Sequence, residues 1–134
     1  MKRLFAAAIL VCAAVPALAQ PPAASPVPSG PACLRQINMY SFDPVPGNRA
    51  LIVVDRSRVR YRVNFQVPCY NLQYKLGLRF KTFGTSNLAC VERGDQVLVR
   101  DVATPGFCMI QSVEYQTPAL DQKDAADAAA RKKP

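Results

Sequence analysis

Residues 58–67 alternate without a break. Val59, Tyr61, Val63, Phe65 and Val67 are apolar, and Arg58, Arg60, Arg62, Asn64 and Gln66 between them are polar. A period of two over ten residues does not fit a helix, whose apolar stripe recurs every three to four positions. It predicts a half-buried antiparallel strand with one dry face and one wet face. Such a strand is not stable alone, because its backbone groups and its dry face both need partners.

The flanking sequence supplies them. ALIVVD at 50–55 is a continuous apolar run, as expected of a strand covered on both sides, and Asp55-Arg56-Ser57-Arg58 provides a short hairpin turn. LGLRFKTF at 76–83 alternates again, with Leu76, Leu78 and Phe80 opposite Gly77, Arg79 and Lys81. QVLVRD at 96–101 and FCMIQSVEY at 107–115 make two more strands around the turn Ala103-Thr104-Pro105-Gly106. Leu34 to Phe42 reads as the first strand, closed by the breakers Pro44, Pro46 and Gly47, and CYNLQYK at 69–75 allows one helical turn. Six short strands spaced about 8 to 15 residues apart predict an all-β domain over residues 33–118. Its expected form is a small antiparallel barrel or rolled sheet.

The first twenty residues, MKRLFAAAILVCAAVPALAQ, have the pattern of a secretory signal peptide over 1–19. Lys2 and Arg3 form its basic start, Leu4 to Ala14 its apolar stretch, and Ala17-Leu18-Ala19 its small-residue cleavage site. A retained anchor is the competing reading, but the apolar stretch falls well short of the roughly 20 residues that span a bilayer, so the protein is not expected to span a membrane. Cys12 follows Val11, whereas a lipid-modified cysteine would follow a small residue. Cleavage after Ala19 would take the net charge from +8 to +6, because Lys2 and Arg3 leave with the peptide. The expected location is periplasmic or secreted.

Cleavage would also leave four cysteines, Cys33, Cys69, Cys90 and Cys108. An even number in a small exported chain predicts two disulfides, for which three connectivities exist. The expected pairing is the nested one, Cys69 with Cys90 and Cys33 with Cys108, tying the first strand to the last. Residues 20–32 hold PPAASPVPSGP, with five prolines in eleven positions, and are expected to form an extended linker. Residues 119–134 are alanine-rich and charged, with no apolar stripe. Helix is expected at most transiently over 125–130, with nothing to hold it, so both termini are expected to be disordered.

The chain contains no histidine, no CxxC pair, no glycine-rich phosphate loop and no G-x-S-x-G. The usual neutral-pH base and the common metal and nucleotide motifs are therefore missing, and no catalytic, cofactor-binding or metal-binding residue is assigned. The acids of the β region are Asp43, Asp55, Glu92, Asp95, Asp101 and Glu114. A carboxylate-based hydrolase could draw on them, but several fall in predicted turns, where Asp caps backbone groups. Arg93-Gly94-Asp95 spells RGD and is expected to be a hairpin turn rather than an adhesion motif.

The arginine row has more functional pull. Arg58, Arg60 and Arg62 would project from one strand face about 6.6 Å apart, and Arg79 and Lys81 would form a second row if their strand lay close. Guanidinium forks match phosphate and carboxylate, so an anionic envelope component such as lipopolysaccharide or anionic lipid is a chemically reasonable partner. The plainer reading carries more weight on strand physics, because outward charges keep a strand soluble and discourage edge pairing. Tyr61 and Phe65 point away from the row, which leaves no stacking platform, and nucleic acid is not expected as a partner.

The ordered series CLRQINMYSF, ALIVVD, VRYRVNFQVPCYNL, LACVERGDQVLVRD and GFCMIQSVEYQTP resembles a family of small exported proteobacterial proteins classed as a domain of unknown function. Its marks are a leading Cys-hydrophobic pair, a CxxL after a hairpin, a later Cys with Gly-Asp before a strand, and a final Cys-x-Ile, together covering residues 33–118. The resemblance implies export and one compact β domain, and it brings no catalytic residue. The expected function is non-enzymatic: binding an anionic envelope component through the basic strand face. The alternative is a periplasmic protein-binding module or inhibitor that uses a sheet edge or the loop at 69–76. Salt separates the two, since phosphate contacts weaken steeply as salt rises and a packed protein interface changes much less.

Overall fold

The structure, a computed structural model, describes residues 26–70, 72, 77–84, 88–99 and 106–132. The predicted signal peptide, linker residues 20–25, the turn at 103–105 and most of the loop at 69–76 lie outside the described residues. A short 3-10 turn at Gln36–Asn38 precedes β1 (Met39–Pro44), β2 (Ala50–Asp55), β3 (Arg60–Phe65), β4 (Leu78–Lys81), β5 (Gln96–Val99) and β6 (Gly106–Tyr115). A helix, α1 (Pro118–Arg131), closes the order.

The strands form one antiparallel sheet in the order β1-β2-β3-β6-β5-β4, rolled into a half-barrel. The last strand is thus a central one. β6 pairs with β3 through its second half and with β5 through its first. Between Asn64↔Ser112 and Phe65↔Ile110 the register shifts, leaving Gln111 as the extra residue of a bulge. A bulge bends and twists a ladder, which lets one strand serve both halves of a rolled sheet.

The alternation of the sequence becomes the inside and outside of this roll. Leu51, Val53, Tyr61, Val63, Phe65, Phe80, Val97, Val99 and Ile110 point into the core, where Leu34, Leu72 and Val91 from the connections cover them. The alternation is trimmed at both ends. Arg58 has φ 66 and belongs to the hairpin turn, where its amide donates to the Asp55 carbonyl at 3.0 Å. The Asp55 carboxylate clamps the same turn by accepting the Val59 amide at 2.9 Å. At the other end the chain leaves the sheet toward Pro68, and Val67 is 63% exposed.

The disulfides are Cys33–Cys90 and Cys69–Cys108, an interleaved pairing that corrects the nested one expected. The expectation failed on topology. β6 runs beside β3, so Cys108 on its inner face meets the chain just after β3, at Cys69. Cys33 lies before β1, and the Val91 amide donating to the Leu34 carbonyl at 2.7 Å brings its neighbour Cys90 to it.

The tail differs from expectation as well. Residues 118–131 form a continuous fourteen-residue helix docked on the sheet. Thr117 caps it by accepting the Leu120 amide at 3.3 Å, and Pro118 opens its first turn. Among the described residues no helix is long and apolar enough to cross a membrane.

Candidate functional site: the basic outer face of the sheet

Pairing registers place the outer face row by row. Arg60 faces Val54 on β2, and Arg62 faces Ile52 on β2 and Glu114 on β6. Ile52 and Val54 are half-buried there, so β2 is apolar on both faces, as its unbroken run predicted. α1 lies across this half of the sheet and meets the arginines with acids of its own. The Arg60 guanidinium donates both arms to Asp121, at 2.7 and 2.8 Å. Arg62 donates to Asp124 Oδ2 at 2.6 Å and to Asn64 at 3.0 Å. Gln116 ties the two pairs together, its amide donating to Asp121 at 3.0 Å and to Asp124 at 3.2 Å.

The two pairs differ physically. Arg60 and Asp121 keep about two-fifths of their side chains exposed (40% and 39%), so water and salt screen them. Arg62 and Asp124 are buried, and Asp124 Oδ1 has no hydrogen-bond partner among the described residues. Hydrogen bonds from Arg60 hold the Asp121 carboxyl below its ordinary range, against an opposing push from burial. Arg60 is raised in turn, chiefly by Asp121. Burial, followed by the nearby Asp55 charge, raises the Tyr61 hydroxyl.

The structure thus divides the arginine row. Arg60 and Arg62 are engaged by α1, while Arg58 turns away in the hairpin, its guanidinium 5.3 Å from the ring centre of the exposed Tyr40. Arg79 and Lys81 do not stand beside the row, because β6 and β5 intervene and the registers place Arg79 level with Phe107 and Arg62 level with Glu114, far apart along β6. They are exposed on the edge strand β4. There the register aligns Arg79 with Leu98 and Phe107, and Lys81 with Gln96 and Met109. Phe107 is 61% exposed.

Asp55 and Asp95 serve the fold. The buried Asp95 accepts the Phe83 amide at 3.0 Å and the Glu92 amide at 2.8 Å, and Gly94 takes φ 93. The RGD tripeptide is therefore a turn whose carboxylate is already used. Asp101 lies outside the described residues. Among those described, no group of three or more His, Cys, Asp or Glu could hold a metal.

Asp121, Asp124 and Gln116 were missed from the sequence. Two signals pointed to them: the Thr117-Pro118 helix start, and acids spaced three apart, which place two carboxylates on one helix face opposite arginines two apart on a strand. No curated protein matches the chain, and no solved structure does. The model of a family of unknown function (DUF6491) matches residues 1–133.

Proposed function

The chain belongs to the DUF6491 family, and on that premise we propose that it is an exported, non-catalytic protein that docks peripherally on the anionic lipid surface of the cell envelope. The observation that carries this reading is the register of β4, β5 and the first half of β6. Exposed cations at the β4 edge stand in line with Phe107, Leu98 and Met109 on neighbouring strands. An aromatic ring that enters the headgroup region beside cations that meet phosphate is a common interfacial pairing. The N-terminal pattern Lys2 to Ala19 and the two disulfides support export to an oxidising compartment. The use of Asp55 and Asp95 as turn clamps supports a non-catalytic role.

The attraction is modest. Each cation near an anionic membrane surface contributes about 1 kcal/mol, so Arg79 and Lys81 together give about 2, and docking is reversible. Flotation with phosphatidylglycerol or phosphatidylcholine vesicles across a salt series tests the reading. Binding is expected to the first kind only, to fade as salt rises, and to weaken about thirtyfold in Arg79→Gln/Lys81→Gln. Equal affinity for both vesicles, or an unchanged double variant, contradicts it.

A second reading, a protein-binding module, is favoured by β1. It lies at the sheet edge with Tyr40 64% exposed, and such an edge can accept a partner's strand. A partner bound there would survive high salt and would be lost on blocking β1.

A further inference from the structure

Beside α1 the outer face opens into a polar cleft of about 550 Å³, which lies within the range of small-molecule sites. Three separate segments each send an arginine to it: Arg49 from the β1–β2 turn, Arg93 from the turn before β5, and Arg131 from the last turn of α1. The two acids that line the cleft each face a cation, Asp124 through Oδ2 to Arg62 at 2.6 Å and the exposed Asp127 to Lys123 at 3.2 Å. Arg49, Arg93 and Arg131 form no ion pair among the described residues, and five cationic side chains line the cleft against two acids, so its lining is net positive.

Such convergence is unfavourable in an empty protein, because like charges held around one concavity repel and raise the local positive potential. All three side chains are exposed, so the core does not require them there. The backbone also makes room for one of them. A Cβ at Gly47 would stand 2.6 Å from Arg131 Nη2, and Gly47 has φ 90, so the turn seats the guanidinium where another residue would displace it. Ser112 adds a hydroxyl on the cleft wall. Its oxygen accepts from Asn64 at 3.0 Å, which leaves its own O–H to donate.

We propose that this cleft is a second binding site, separate from the lipid-docking face, for a small, multiply charged phosphate compound. One arginine fork satisfies a carboxylate; three forks arriving from three directions suit the several oxygens of a phosphomonoester or diphosphate. The same chemistry is offered by a soluble phosphate ester and by a phosphorylated headgroup held in an envelope lipid.

The test is calorimetric titration of the oxidised protein with inorganic pyrophosphate, followed by flotation with vesicles carrying phosphatidic acid. Saturable, one-site pyrophosphate binding is expected. It should weaken about tenfold for each of Arg49→Gln, Arg93→Gln and Arg131→Gln, and stay unchanged in Arg79→Gln/Lys81→Gln. The triple change to lysine, which keeps the charge and removes the forks, should fall between wild type and the triple glutamine variant. The sources separate in the Arg79→Gln/Lys81→Gln background. If phosphatidic acid vesicles float that variant through Arg49, Arg93 and Arg131, the phosphate is lipid-borne; if pyrophosphate binds and the vesicles do not, it is soluble. No saturation in the wild type, or full affinity in the triple glutamine variant, overturns the proposal. Vesicle docking without pyrophosphate binding overturns this site alone, and pyrophosphate binding without vesicle docking overturns the docking face alone.

Discussion

Arg62 and Asp124 show how little a charge says until its partner is known. In the sequence Arg62 belongs to a wet strand face; in the fold it is 8% exposed and forms a 2.6 Å ion pair. Removing one member of a buried pair strands the other, at a typical cost of about 3–5 kcal/mol. Here α1 can lift away and return Asp124 to water, so the cost is capped by the free energy of docking. Arg62→Ala is therefore expected to undock α1 while the sheet stays folded, seen as loss of α1 resonances from their native positions with a nearly unchanged urea midpoint for the sheet. A double change to apolar residues, Arg62→Met with Asp124→Leu, should redock the helix, since packed apolar groups often replace a buried pair without loss. If Arg62→Ala leaves α1 docked, the pair does not hold it.

At the scale of elements, β2, β3 and β6 were legible because period and apolar runs report burial directly. α1 was not, because a surface helix announces itself by an apolar stripe and the stripe that faces the sheet carries Asp121 and Asp124. An alanine-rich segment with good caps forms helix readily once any partner surface fixes it, and here that surface is cationic. The docking should therefore depend on acid. Asp121 has its carboxyl lowered in the folded state by Arg60, so its contribution is full above the unfolded value of 3.8 and is lost as pH falls through the lower folded value. Helical signal from 118–131 is expected to hold from neutral pH to about pH 4 and to fall below it, in far-ultraviolet circular dichroism compared with a chain ending at Gln116. A helical signal that stays unchanged well below that pH would show that Asp121 does not contribute. The candidate site followed the same pattern: Arg79 and Lys81 were visible as exposed cations, while their alignment with Phe107 depends on strand order, which local sequence does not specify.

For the whole molecule, strand order governs both the crosslinks and the surface. β6 in the middle of the sheet pairs Cys108 with Cys69, and each interleaved bridge closes a long loop, with sequence separations of 57 and 39. By loop-closure entropy each is expected to contribute about 4 kcal/mol, so Cys69→Ser/Cys108→Ser should lose nearly that much in urea unfolding; a loss below about 1 kcal/mol would contradict it. The same order puts Arg60 and Arg62 under α1 and sets Arg79 and Lys81 on the far edge strand, so two members of the arginine row are engaged by the helix while the β4 cations stay outward. Amide hydrogen exchange along α1 tests this division most directly, in the wild type and in Arg60→Gln/Arg62→Gln. The prediction is a protected helix in the wild type at neutral pH, and loss of that protection in the variant while β2, β3 and β6 keep theirs. Free exchange of α1 in the wild type, or equal protection in the variant, would mean that the row is not held by the helix and faces solvent after all.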